Sequence, residues 1–162
     1  MDFQTPPWCC DYMVSLVNQE KCLVLEPTPG LGNLVRVLEK HQHSVVAPED
    51  FWELSYSRYD YIVMNPPFTP MQLGYDILGE CMEWSDNIIA LMPWLTIINS
   101  SRRTETIVNF GLKSITHLPR KVFPGSRVQC CILNMQKTLP KKTELYFIEE
   151  SEHGSWQYIT KP

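Results

Sequence analysis

Four short, almost unbroken apolar runs constrain this chain more than any other feature. They fall at residues 21–26 (KCLVLE), 44–47 (SVVA), 59–65 (YDYIVMN) and 87–92 (NIIALM). Successive Cβ atoms of a strand point to opposite sides of its sheet, so a strand that is apolar at every position needs cover on both faces. The intervening segments can supply that cover. Leu34, Val35, Val37 and Leu38 recur at helical spacing, and residues 70–84 place Leu73, Ile77, Leu78, Cys81 and Met82 on one side of a helix. This alternation predicts an α/β fold, with a mostly parallel central sheet and helices on both faces.

Around that core the pattern is looser. Thr5-Pro6-Pro7 reads as an entry turn, and Tyr12, Met13, Leu16 and Val17 predict a first helix over residues 11–19. Beyond residue 101 the texture changes. A helix is expected over 102–110, then strands over 112–118, 127–135 and 145–148, hairpin-like, with a tight turn at Pro124-Gly125 and a polar connector over 137–142. The 162 residues fit one domain, 1–162, with a C-terminal antiparallel hairpin added to the parallel part.

The net charge of −4 hides an asymmetry. Residues 1–101 carry 4 Lys/Arg against 13 Asp/Glu, whereas residues 102–142 carry 9 against Glu105 alone. A basic stretch of this length is either a solvated face or a footprint for a phosphate backbone. The apolar stretch 88–95 is far shorter than a bilayer span, and the N-terminus lacks a basic segment followed by an apolar one, so neither membrane insertion nor secretion is expected. Cys9-Cys10 and Cys130-Cys131 are adjacent pairs, and Cys22 and Cys81 stand alone. No C-x-x-C spacing occurs, and this pattern predicts small core residues in a reducing cytoplasm, with no metal. His41, His43 and His153 are expected at the surface, His117 as a satisfied strand histidine, and Trp94 closing the core.

Two loops carry the chemistry. Glu26-Pro27-Thr28-Pro29-Gly30-Leu31-Gly32 ends one strand and opens a helix, where a nucleotide-like ligand can approach the backbone. It lacks the third glycine of a dinucleotide loop and the Lys-Ser/Thr of a phosphate loop, and Glu26 suits an ammonium or sulfonium better than a pyrophosphate. Asn65-Pro66-Pro67-Phe68 follows the third apolar run. Asn65 offers a carbonyl acceptor, the two prolines form a rigid turn without N–H donors, and Phe68 can cover a flat ring.

In this order the motifs resemble the S-adenosylmethionine-dependent amino-methyltransferases, most closely the adenine-specific N6 DNA methyltransferases in a compact, phage-like form without a target-recognition domain. The resemblance implies a Rossmann-like class I methyltransferase fold. Thr5-Pro6 matches an amino-terminal element that touches the methionine end of the cofactor. Glu26, Pro27, Gly30 and Gly32 match its cofactor loop. Glu49, Asp50 and Phe51 stand where the family holds the cofactor's ribose and adenine, with the two acidic positions compressed into one stretch, which leaves open which carboxylate serves which. Asn65, Pro66, Pro67 and Phe68 match the catalytic tetrad, with Asn65 beside the cofactor as well. The stretch 118–125 resembles a later element that packs an aromatic residue, here Phe123, against a flipped base, with Arg120, Lys121 and Arg127 on DNA phosphates.

What the resemblance implies is methyl transfer to the N6 amine of adenine in DNA. RNA adenine or a protein glutamine shares the same conjugated-amine chemistry, and a non-catalytic cofactor-binding or nucleic-acid-binding subunit is the third reading. Sequence choice would come from loops, a second copy or a separate specificity chain. The expected compartment is the cytoplasm, that of the host cell for a phage-encoded chain.

Overall fold

A computed structural model describes residues 4–137 and 142–159. Among the described residues, eight strands form one sheet in the order β2-β1-β3-β4-β6-β5-β7-β8. The first four, β1 (Leu23–Leu25), β2 (Ser44–Val46), β3 (Tyr61–Met64) and β4 (Asn87–Pro93), correspond to the four apolar runs and pair in parallel. Between and beside them run α1 (Pro7–Ser15), α2 (Asn33–Lys40) and α3 (Met71–Trp84).

The central strands β3 and β4 are apolar almost throughout because each feeds two cores. Tyr61 and Val63 of β3 enter one cluster together with Leu34 and Leu38 of α2, while Ile62 and Met64 enter the other with Ile77 and Leu78 of α3. Ile89 and Leu91 of β4 divide from Ile88, Ala90 and Met92 in the same way. Cys130 and Cys131 also part to opposite faces, and all six cysteines are buried free thiols.

The C-terminal part adds antiparallel pairs, as expected, but one of its pairings is parallel. After α4 (Leu95–Ile98) and α5 (Ser101–Phe110), β5 (Leu112–His117) pairs antiparallel with β6 (Cys130–Gln136), and β6 inserts between β4 and β5. β7 (Glu144–Glu150) does not continue from β6 as a hairpin but lies parallel to β5, and β8 (Trp156–Tyr158), which the sequence pattern did not single out, closes back on β7. The Pro124-Gly125 turn sits inside the long β5–β6 connection, next to a 3-10 turn at Arg120–Val122. Only the ends of the expected connector 137–142 fall among the described residues.

Two local expectations are corrected. The first helix begins at Pro7 instead of Asp11, with Pro6 as its N-cap, because proline's fixed φ and absent N–H suit the first helical turn. His43 is buried instead of exposed, since its Nδ1 accepts from the Cys22 amide at 3.2 Å at the foot of β1, and burial lowers its pKa. His117 is satisfied in its strand as expected, its Nδ1 accepting from Trp94 Nε1 at 3.0 Å. Among the described residues no helix is long and apolar enough to cross a membrane.

Candidate active site

β1, β2 and β3 are parallel, so the loops after them leave the sheet at one edge. The helix after β1 packs in one core and the helix after β3 in the other. The chain therefore departs in opposite directions on either side of the β1–β3 boundary, which opens a crevice at that point. A cleft of about 920 Å³ lies there, and Glu26, the residue after β1, and Asn65, the residue after β3, both line it.

Glu26 is 2% exposed. Its amide extends the sheet to the Val46 carbonyl at 2.9 Å, which fixes the residue at the strand tip. Its carboxyl accepts from Thr28 N at 2.7 Å and Thr28 Oγ1 at 3.3 Å, both on Oε1. Burial nevertheless outweighs these two bonds and pushes its pKa up to about 8. Among the described residues no cation pairs with it. Pro27, Thr28, Pro29 and Gly30 continue the wall. Gly32 does not line the cleft; at φ +84° it is the N-cap of α2, in a left-handed conformation that glycine adopts without a Cβ penalty.

The Asn65-Pro66-Pro67-Phe68 turn forms the facing wall. Asn65 Nδ2 donates to Thr5 Oγ1 at 2.6 Å, and among the described residues no donor bonds Asn65 Oδ1. Thr5 itself is 3% exposed, and its carbonyl accepts from Asn33 Nδ2 at 3.1 Å at the start of α2. The amino-terminal segment is thus tied to both loops. Phe68 is half-buried, backed by the first core, and lines the cleft, whereas Pro6 does not.

The loop after β2 supplies the third side. Glu49 and Asp50 are both exposed and line the cleft. Asp50 Oδ1 accepts from the Trp52 amide at 2.9 Å and so caps a 3-10 turn at Phe51–Glu53, while among the described residues Glu49 makes no hydrogen bond or ion pair. Phe51 is 4% exposed and packs on Trp52 and Trp84 with ring centroids 5.1 Å apart in each case. Trp52 lines the cleft and is 52% exposed, a residue that the sequence reasoning passed over although it follows directly on Asp50-Phe51.

The basic residues expected on phosphates do not line the cleft. Arg120 and Lys121 lie on the 3-10 turn after β5, and Arg127 lies between Ser126 and Val128, which do line the cleft. All three cations are exposed and, among the described residues, free of ion pairs. Phe123 is 4% exposed and belongs to the first core, so its ring is not presented to the cleft in this conformation. No group of His, Cys, Asp and Glu among the described residues could hold a metal ion.

The architecture is that of class I methyltransferases. A modification subunit assigned to a type I restriction enzyme of Vibrio vulnificus YJ016 superposes with a TM-score of 0.75 at 21% identity, covering 93% of this chain and 48% of that one. A protein of Listeria monocytogenes assigned to the class I S-adenosylmethionine-dependent methyltransferases gives 0.67 at 16%, covering 89% and 65%. One of Pyrococcus horikoshii assigned as an RNA methyltransferase gives 0.60 at 18%, covering 87% of each chain. The chain thus spans about half the length of the restriction subunit and less than two thirds of the Listeria protein. No family model and no curated protein matches the sequence. At these identities the likeness establishes the fold alone.

Proposed function

We propose that this chain transfers a methyl group from S-adenosylmethionine to the exocyclic N6 amine of adenine in DNA. The observation that carries the reading is the convergence, in one cleft at the β1–β3 boundary, of a buried acidic strand tip and an Asn-Pro-Pro-Phe turn whose amide oxygen has no partner within the described protein.

The donor set fits the cofactor. Glu26 is a buried carboxyl lacking a cationic partner, and an amino-acid ammonium would supply one. Glu49, with both oxygens unengaged, takes the ribose hydroxyls. Asp50, one oxygen of which caps the 3-10 turn, keeps the other for the adenine amino group. Trp52 offers a face to the purine. When bound, S-adenosylmethionine supplies an electrophilic methyl group on a sulfonium.

Asn65 Oδ1 and the Pro66 carbonyl accept the two hydrogens of the target amine, drawing its lone pair out of conjugation. Pro66 and Pro67 contribute no N–H that could compete for these acceptors. Phe68 covers the base, which a duplex would have to surrender from its stack. The displaced proton leaves to solvent, and no covalent adduct is needed. Arg127 lies between the cleft residues Ser126 and Val128, Arg120 donates to the Ser126 carbonyl at 3.4 Å, and these two with Lys121 hold phosphates. Recognition of a particular sequence falls to loops or to a partner chain.

Calorimetric titration with S-adenosylmethionine, followed by transfer of labelled methyl to duplex DNA, single strands, RNA and protein, tests this. Label on DNA adenine supports the reading. A folded protein that binds no cofactor would refute it, and label on RNA or protein alone would replace the substrate.

A further inference from the structure

Asn65 can act on an amine only if its side-chain oxygen, and not its nitrogen, faces the target. Two residues outside the tetrad bear on this. Thr5 accepts from Asn65 Nδ2, so the Oδ1 lobe of the amide is turned away from Thr5. Thr5 is itself held, because its carbonyl takes bonds from Asn33 Nδ2 at 3.1 Å and Cys10 Sγ at 3.6 Å. Among the described residues its hydroxyl proton has no acceptor, and Thr5 lines the cleft, so that proton is free for an anionic group of a ligand. Once the proton is engaged, Thr5 Oγ1 has only lone pairs to offer Asn65, and the amide has one orientation left.

The second residue lies beneath the turn. Gly74 is buried in the first turns of α3. A Cβ built there would come within 3.0 Å of the Pro67 carbonyl oxygen and 3.4 Å of Pro66 Cγ. Glycine inside a helix is destabilising relative to alanine, so its presence here is accounted for by the close seating of the two prolines on the helix. Gly79, in the same helix, has nothing within 4 Å of the same position and supplies an internal comparison.

We propose that Thr5 and Gly74 are positioning residues for the Asn65-Pro66-Pro67 turn, Thr5 fixing which end of the amide faces the substrate and Gly74 fixing how deep the turn sits. This rests on the methyl-transfer reading above. The test compares Thr5→Val, Thr5→Ser, Gly74→Ala and Gly79→Ala in the full chain, with folding checked by circular dichroism and melting temperature.

Thr5→Val and Gly74→Ala should lower kcat by about 10- to 100-fold with a much smaller change in cofactor Kd, as expected for a misplaced reacting group. Thr5→Ser should restore kcat to within about threefold of wild type. Gly79→Ala should leave kcat unchanged and raise the melting temperature by roughly 1–4 °C. A weakened cofactor Kd with kcat intact in Thr5→Val would make Thr5 a ligand contact only, and unchanged kcat in Gly74→Ala would remove Gly74; either overturns its half of the proposal. The Asn65 side-chain amide resonance, followed by nitrogen-15 NMR, reads the Thr5 bond without turnover. If it does not shift in Thr5→Val, the geometry itself is wrong. If it shifts while wild type transfers no methyl group, the functional reading fails instead and takes the catalytic role of both residues with it.

Discussion

Replacing Glu26 with Gln should make the free protein more stable at alkaline pH and flatten its pH dependence. The ordinary carboxyl value of 4.5 rises to about 8 in the fold because the group is buried. A raised folded pKa means that the contribution is fully present below 4.5 and is lost as pH climbs through 8, since the unfolded chain ionises first. Each pH unit in that window is worth about 1.4 kcal/mol, so wild type should lose about 3 kcal/mol relative to the Gln variant between pH 5.5 and 8. Gln retains an oxygen for the Thr28 amide and cannot ionise. Urea titrations of both proteins at the two pH values give the comparison, and His43, whose pKa burial also moves, cancels in the difference because both proteins contain it. A difference between the proteins that changes by less than about 1 kcal/mol across the window would refute the argument that Glu26 is held neutral by burial.

Cofactor affinity should respond to the same group: because an ammonium selects the ionised carboxylate, Kd should tighten by about tenfold per pH unit between pH 6 and 7.5, and Glu26→Gln should abolish that slope in calorimetric titrations. Asn65→Ala should lower kcat by roughly 10²–10³-fold in the methyl-transfer assay, with cofactor binding far less affected. Trp52→Ala should raise cofactor Kd by about tenfold or more if its exposed ring stacks on the purine, measurable by calorimetry. Arg127→Ala should weaken binding to DNA of any sequence and lower the slope of log K against log salt by about 1, read by fluorescence anisotropy across a salt series.

The sequence was most legible where physics acts locally and on both faces at once. The runs at 59–65 and 87–92, short and flanked by turn residues, read as strands covered on both faces, and their side chains do divide between two cores. The loops at 26–32 and 65–68 could be placed together because parallel strands release their loops at one edge, which follows from the topology without any distance. Long-range pairing was not legible. Nothing in ELYFIEE distinguishes a strand that returns antiparallel to β6 from one that passes over to lie parallel to β5, since register is set by packing and by connections that carry no local signature. β8 is only three residues long, and its Trp156 and Tyr158 gain their meaning from edge-on contact with Tyr12 of α1, with ring centroids 4.8 and 6.1 Å away. Trp52 was equally silent, because an exposed tryptophan after an Asp-Phe pair reads as loop composition until the cleft beside it is seen.

The insertion of β6 between β4 and β5 shapes the cleft wall. It sends the β5–β6 connection back across the edge where the parallel loops end, and Trp94, at the tip of β4, donates its amide to the Gln129 carbonyl of that connection at 2.8 Å. Ser126 and Val128 therefore become part of the cleft wall while Arg127, between them, remains exposed. Val128 N donates to Ser126 Oγ at 3.1 Å, and this one short stretch closes the cleft with two residues and leaves the cation between them exposed. On the proposed function, a phosphate held by Arg127 would lie one residue from the cleft wall, which would tie a grip on the nucleic-acid backbone to the cleft. Inserting a single residue between Ser126 and Arg127 should separate these functions, leaving cofactor affinity near wild type while lowering methyl transfer. Transfer that survives the insertion unchanged would show that the grip lies elsewhere.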